Sequence, residues 1–251
     1  MEALKLWFIE TFTELKETFI LCFITDDRWT WLVEGLGNSL LITFFAGILG
    51  IAIGVIVAAI RSSYDKNKES FQLRGGFGYG LMKFLNGICN IYLTVIRGTP
   101  VVVQLLLMYF VILKSVSSGI IVAIITFGIN SGAYVAEIIR GGIMSVDNGQ
   151  FEAGRSLGFN YVQTMRHIII PQAFKTSLPS LCNEFITLLK ETSVAGYVAI
   201  EDLTKMGDRI RGITFEAFMP LIAVALIYLA IVMILTKLVS ILERRLRRSD
   251  R

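Results

Sequence analysis

Charge is scarce in this chain. Only 18% of its 251 residues are Asp, Glu, Lys or Arg, against about 25% in soluble domains. Four segments (36–60, 98–113, 115–136 and 217–236) contain none of them. That absence excludes a soluble helical bundle, whose helices need a polar face. Histidine is scarcer still: His167 stands alone, so a His-built metal site or an enzyme resting on clustered His and Asp has no material. Cys22, Cys89 and Cys182 are scattered with no C-x-x-C spacing and read as small apolar filler. There is no G-x-x-x-x-G-K-[ST], hence no phosphate loop for ATP. The glycines of RGGFGYG (74–80) do not match G-x-G-x-x-G and read as a flexible loop. The acidic beginning has no small-residue cleavage site and is not expected to be a signal peptide.

What the chain does have is apolar length. Hydrophobic residues make up 54% of it, and mean hydropathy is +0.66. Uncharged apolar runs of about 20 residues match a hydrocarbon core of roughly 30 Å. The expectation is an all-α integral membrane protein of about five spans, at 36–60, 88–113, 116–139, 172–189 and 217–242. The tail from Lys237 holds six Lys or Arg and should lie on the cytoplasmic side, which puts the N-terminus outside. The same orientation places the basic segments 61–83 and 140–175 inside.

Leu4, Phe8, Phe12, Leu15 and Phe19 share one face of a helix within residues 1–30, a segment read as an amphipathic helix at the outer interface. Trp29 and Trp31 fit an aromatic belt. Residues 31–245 form the membrane domain, and 246–251 a basic cytoplasmic tail. No internal repeat is visible, which counts against common secondary-carrier architectures.

Polar residues interrupt the spans at three places. RGTP (97–100) breaks the second: Pro100 lacks a donor and pushes Thr99 out of helical geometry, and carbonyls freed there must find partners in protein or in a water-lined cavity. Arg97 is either an interfacial arginine or part of a kink lining a substrate path; Thr99 and Gln104 belong to the same stretch. Asn130 interrupts the third span, as helix–helix glue or as a ligand. Glu184 interrupts the fourth, as a buried structural partner or a site for a substrate cation. Asn183 and Thr187 add amide and hydroxyl chemistry around it.

The segment FEAGRSLGFNYVQTMRHIIIP (151–171) lies between spans. Asp147 or Asn148 can cap a first short helix, Gly158 can end it in the left-handed conformation, and Asn160 can cap a second running to about Ile169. Pro171 is tolerated where the next helix begins. Ala153 and Gly154 are small enough for close approach, and Phe151, Leu157, Phe159 and Tyr161 are apolar anchors outside any span. The natural reading is a docking element for a partner, the alternative an interfacial helix packed on its own bundle.

E-A-G-x3-G-x9-I-x-I-P, carried by Glu152, Ala153, Gly154, Gly158, Ile168, Ile170 and Pro171, resembles the E-A-A loop of membrane subunits of binding-protein-dependent ABC importers. RGTPVVVQLLLMYF, NSGAYVAEIIRGGI and NEFITLLKETS look like the polar amino-acid uptake branch. The resemblance covers roughly 33–245. It implies a type I importer permease in a bacterial cytoplasmic membrane that pairs with itself or a sister subunit. Two cytoplasmic ATPase subunits would bind the ATP and Mg, and an extracytoplasmic receptor would deliver the amino acid. The 151–171 segment would be the coupling helix, with Glu152, Ala153, Gly154, Arg155, Gly158 and Phe159 at the ATPase. Glu184, Asn183, Thr187, Asn130, Arg97, Thr99 and Gln104 are the substrate-site candidates. No cofactor and no catalysis are implied for this chain. A stand-alone ion-coupled carrier or channel is the alternative; it would need its own ion site, and Glu184 is nearly alone.

Overall fold

The computed structural model describes residues 2–74 and 76–248, with side-chain surroundings over 10–66 and 77–245. Among the described residues the chain is helical throughout, with no strand. Helix α1 (Glu2–Phe19) forms where the apolar spacing predicts it. Phe12, Leu15 and Phe19 remain exposed on it, while the side chains of Leu4 and Phe8 lie outside the described ones. A tight elbow follows, in which Asp26 and Asp27 take positive φ of 56° and 51°. The buried Arg28 stabilises this bend, donating to the Leu21 carbonyl at 2.8 Å and to the Asp26 carboxylate at 2.7 Å. The elbow buries Cys22 and Phe23 against Leu203, Met206 and Ile210.

Helix α2 (Trp29–Arg74) has 46 residues, about 69 Å at 1.5 Å per residue, far more than a bilayer core. Helix α3 (Gly76–Gly98) then absorbs Gly76, Gly78 and Gly80, expected to form a loop, while Gly75 lies outside the described residues. Phe77, Leu81, Phe84 and Ile88 recur there at helical spacing, so an apolar face continues through the glycines. The helix stops at Gly98, and α4 (Val101–Leu107, prolonged by a wide turn Met108–Ile112) leaves at 107°.

Helix α5 (Gly119–Met144) is the central post, and its packing with α2 is the largest interface between elements. Small residues set that approach. A Cβ on Gly128 would meet the Leu49 side chain at 2.7 Å, and one on Gly54 would overlap Val135. Gly50 and Gly54 on α2, with Gly128 and Gly132 on α5, thus form facing small-x-x-x-small pairs. Around them Ile42, Ala46, Leu105, Ala123, Phe127 and Leu188 build the main apolar core.

The hairpin helices α6 (Asn148–Ser156) and α7 (Tyr161–Thr164) lead into α8 (Ile170–Glu191). The second hairpin helix was expected to end near Ile169. Instead a π-helical turn, Met165–Ile169, joins α7 to α8 without a stop. A wide turn accommodates Pro171, whose ring would clash with the carbonyl four residues earlier in a regular helix. Helix α9 (Leu203–Thr214) is capped by the buried Asp202, which accepts from Thr204 N at 2.8 Å and Lys205 N at 3.1 Å. Helix α10 (Phe218–Arg248) closes the fold with Leu226, Met233, Ile234 and Leu238 exposed.

Among the described residues three helices, α2, α5 and α10, are long and apolar enough to cross a membrane, and the bent α3–α4 pair adds a fourth. The fifth expected span, 172–189, is helical but does not qualify by composition. Lys175, Ser180, Asn183 and Glu184 make α8 too polar, and it packs on α5 and α10 instead of standing alone in lipid.

Because a side chain at Gly54 would enter Val135, Gly54→Val should lower the unfolding temperature of the detergent-solubilised protein, by about 1–3 kcal/mol of stability. Gly87→Ala, which has nothing within 4 Å, should leave it unchanged or slightly raised. Equal unfolding temperatures for the two variants would show that the α2–α5 contact is not tight.

Candidate functional site

Two groups of residues carry the chemistry: the hairpin, and a set of polar side chains around the α3–α4 break.

The hairpin is over-determined by local hydrogen bonds. Asp147 caps α6, accepting from Gly149 N at 2.6 Å. At the other end Phe159 N donates to Gly154 O at 3.0 Å and Gly158 N to Arg155 O at 2.9 Å, with Gly158 at φ 78°. This is the Schellman arrangement, which requires a left-handed residue at Gly158. Asn160 then forms a capping box: its side chain accepts from Gln163 N, and Gln163 accepts from Asn160 N, both at 2.9 Å. The two caps fix the angle between the helices.

Several side chains are placed otherwise than expected. Gly154 does not leave a flat outer face; it is buried, and a Cβ there would meet Thr164 at 2.6 Å, so its smallness lets the two hairpin helices close on each other. Phe151 stacks on Tyr161 with centroids 6.5 Å apart, and Phe159 lies beside His167 at 6.1 Å. These three rings are partly buried against the protein's own bundle. The exposed hairpin residues include Glu152, Ala153, Arg155, Leu157, Gly158 and Val162, with Leu157 70% accessible. Lys66 of α2 ties α6 to the bundle: its ammonium donates to Asn148 Oδ1 at 2.7 Å and sits 4.8 Å from the Phe151 ring centre.

At the break, the carbonyls freed by Gly98 and Pro100 find a partner in one side chain. The Gln104 amide nitrogen donates to Ile96 O at 2.8 Å, Thr99 O at 3.1 Å and Thr99 Oγ1 at 2.8 Å. Its oxygen accepts from Asn130 Nδ2 of α5 at 3.0 Å. Thr99, Gln104 and Asn130 are therefore one network, and it splints the 107° turn onto the central post. Glu184 of α8 joins α5 one residue further on, accepting from Ser131 Oγ at 2.8 Å.

Arg97 belongs to a different group. It lies 3.7 Å from Glu137, which also pairs with Arg140 at 3.1 Å; Arg140 in turn reaches Asp65 at 3.4 Å. Arg97 and Glu137 edge an open polar cavity of about 420 Å³, lined also by Arg61, Asn90 and Thr94. Glu137 was missed in the sequence because the uncharged run was read as stopping just before it; its spacing of three from Arg140 was the available signal. Glu184 is thus not the sole carboxylate on the apolar helices. Asn183 and Thr187 are not gathered at the Gln104 network. They are exposed on α8 with Thr176, Ser180 and Lys190, at intervals of three and four residues, forming a polar stripe on that helix.

Comparison with known proteins concerns the chain as a whole. Residues 73–248 match the family model described as the binding-protein-dependent transport system inner membrane component. The arginine transport system permease protein ArtQ of Bacillus subtilis is 33% identical over 88% of the chain and 94% of its own length. The glutamine transport system permease protein GlnP of Escherichia coli is 34% identical over 86% and 93%. Among solved structures, an amino acid ABC transporter crystallised with histidines superposes with a TM-score of 0.75 at 37% identity, over 89% of this chain and 98% of that one. An inward-facing MetNI methionine transporter superposes at 0.71 with 19% identity, over 87% and 97%, a likeness of fold.

Replacing Gln104 with Leu strands the Ile96 and Thr99 carbonyls together with the Asn130 amide. Gln104→Leu is expected to cost about 1–3 kcal/mol, read as a lower unfolding temperature in detergent. An unchanged value would mean that water, not Gln104, satisfies the break.

Proposed function

The chain belongs to the family of inner membrane components of binding-protein-dependent transport systems, and from that premise we propose that it is the permease subunit of an ABC importer carrying a polar or cationic amino acid into the cytoplasm. The similarity to arginine and glutamine permeases supports the substrate class. The permease performs no covalent chemistry. Two copies, or one copy and a sister subunit, stand on two cytoplasmic ATPase subunits that bind ATP and Mg, and an extracytoplasmic receptor supplies the amino acid. With α8 counted as a fifth crossing, shielded by α5 and α10, the N-terminus is outside and the basic tail inside, on the ATPase side of the membrane.

The observation that carries this reading is the unbroken helix from the hairpin into α8. Tyr161 to Glu191 runs without interruption through α7, the π turn and α8, with Pro179 inside α8, so a push on the hairpin is passed along one continuous helix to the polar stripe. Exposed Glu152, Ala153, Arg155 and Leu157 form the surface offered to the ATPase, and Gly158 and the two caps keep that surface from yielding. Phe159 and Gly154 act from inside the hairpin, holding its shape. When the ATPase dimer closes on ATP, each hairpin moves as a lever and α8 shifts against α5, converting the inward-facing path to the outward-facing one.

On the substrate side, stripes on two facing subunits would line a polar path through an otherwise apolar bundle. Asn183 and Thr187 contact the passing amino acid, and Glu184, oriented by Ser131, receives its ammonium or a cationic side chain. Arg97, beside the polar cavity, is placed to meet a carboxylate. Thr99, Gln104 and Asn130 contribute by holding the break open at the correct angle.

In proteoliposomes containing permease, ATPase and receptor, uptake should require ATP. Gly158→Val, which forces a β-branched residue into the left-handed region at a cost of about 1–2 kcal/mol, should abolish receptor-stimulated hydrolysis while the protein still inserts. Uptake that continues without ATP would end the importer reading; normal stimulation in the variant would end the lever. Glu184→Gln keeps an oxygen for Ser131 but removes the charge, so it should reduce transport of a cationic amino acid while basal ATPase docking is retained. Unaltered transport would remove Glu184 from the substrate path.

A further inference from the structure

An apolar groove of about 370 Å³ lies where α2, α5, α7 and α8 meet. Ile51, Val55 and Ala59 of α2 form one wall, and Phe174 and Leu181 of α8 the other. The α2 wall runs from 51 to 63 and the α8 wall from 170 to 181, about 16–18 Å of helix. The groove is therefore long and narrow, and its lining is mostly carbon.

Its polar atoms are gathered toward the hairpin. Ser62 is 1% accessible and lines the groove, as does Tyr161, the first residue of α7. Both hydroxyl oxygens are buried, and neither has a hydrogen-bond partner. Of the other two lining hydroxyls, that of Ser177 is engaged with Ile138 O at 3.3 Å, and Ser63 is likewise engaged. Buried polar groups in native proteins are nearly always satisfied, and an unmade hydrogen bond costs about 1–3 kcal/mol. Two free hydroxyl donors at the same end of an apolar slot call for an occupant with a long apolar body and an acceptor at one end.

Charge near the hairpin end of the groove narrows the occupant further. Lys66 lies one helical turn beyond Ser62, bonded to Asn148 and resting on Phe151, whose ring stacks on Tyr161. Arg166, next to the groove residue Met165, is exposed. An apolar tail, an ester acceptor and a negative group in that order describe an anionic phospholipid. The surrounding medium of a membrane-spanning chain supplies such molecules laterally.

We propose that this groove binds an acyl chain of an anionic glycerophospholipid, whose ester carbonyl accepts from the Ser62 and Tyr161 hydroxyls and whose phosphate lies toward Lys66 and Arg166. The bound lipid fills the space between α2 and the hairpin, bracing Tyr161 against the long helix. Its headgroup sits on the hairpin face of the bundle, so the lipid and the docking surface share one side of the protein.

The test uses the full chain reconstituted in phosphatidylglycerol–phosphatidylcholine vesicles, with trace phosphatidylglycerol bearing a photoactivatable diazirine on its acyl chain. Crosslinks are mapped by peptide mass spectrometry. Labelling should concentrate on 51–63 and 161–181, above that on the outward face of α10 around Leu226–Leu238. Ala59→Phe, which fills the slot from an exposed position, should remove groove labelling and leave α10 labelling unchanged, the latter reporting an intact fold. The double variant Ser62→Ala, Tyr161→Phe should reduce groove labelling about fivefold, as loss of hydrogen bonds of this kind implies. Labelling no stronger in the groove than on α10, or indifferent to Ala59→Phe, would overturn the site and leave only bulk lipid. Equal labelling by a diazirine phosphatidylcholine would overturn the anionic headgroup.

Discussion

The rest of this structure depends on how closely α2 approaches α5. Gly50 and Gly54 face Ser131 and Val135, while Gly128 and Gly132 face Leu49 and Ile53. In a membrane there is little hydrophobic gain from pressing one apolar helix on another, so packing contacts between small residues must supply the attraction. That contact sets α5 as a fixed post. Three polar contacts of the bundle are then referred to it: Asn130 holds the α3–α4 break, Ser131 holds Glu184, and Glu137 and Arg140 hold Arg97 and Asp65.

A second constraint follows from the first. With α3 packed on the post, the chain must turn sharply to send α4 back along it, and Gly98 and Pro100 allow the turn only by giving up helical hydrogen bonds. In a medium without water those bonds have to be replaced. Gln104 replaces them with one amide, and a single side chain thereby couples the break to α5. The rigid hairpin and its continuous exit into α8 apply the same economy at the other end of the molecule. Local caps remove freedom from the hairpin, and the π turn lets Pro171 pass without a break in the helix.

Much of the hairpin was legible in the sequence because its signals are local. Asp147, Gly158 and Asn160 act on neighbours within a few residues, and each does what its type and position imply. The roles of Gly154, Phe151 and Tyr161 were not legible, since a small or aromatic residue looks the same whether it faces a partner or its own bundle. Glycine misled in the other direction at RGGFGYG, where an apolar face at helical spacing outweighed local backbone freedom and α3 formed. Uniformly apolar composition marks a span plainly in α10; α8, read as a span at 172–189, has a mixed composition because it packs on α5 and α10 and carries an exposed polar stripe.

From sequence alone came the helical membrane class, the place of the break, the hairpin with its caps, and the family resemblance that the comparisons then established. These depend on composition, on periodicity and on contacts within one turn, all of which are written along the chain. Tertiary structure alone decided that Gln104 satisfies the break, that Glu184 leans on Ser131, that Arg97 pairs with Glu137, and that two hydroxyls end in an apolar groove without partners. Such pairings join residues far apart in sequence, or leave them unjoined. They exist only once the glycine contact has fixed the distance between helices.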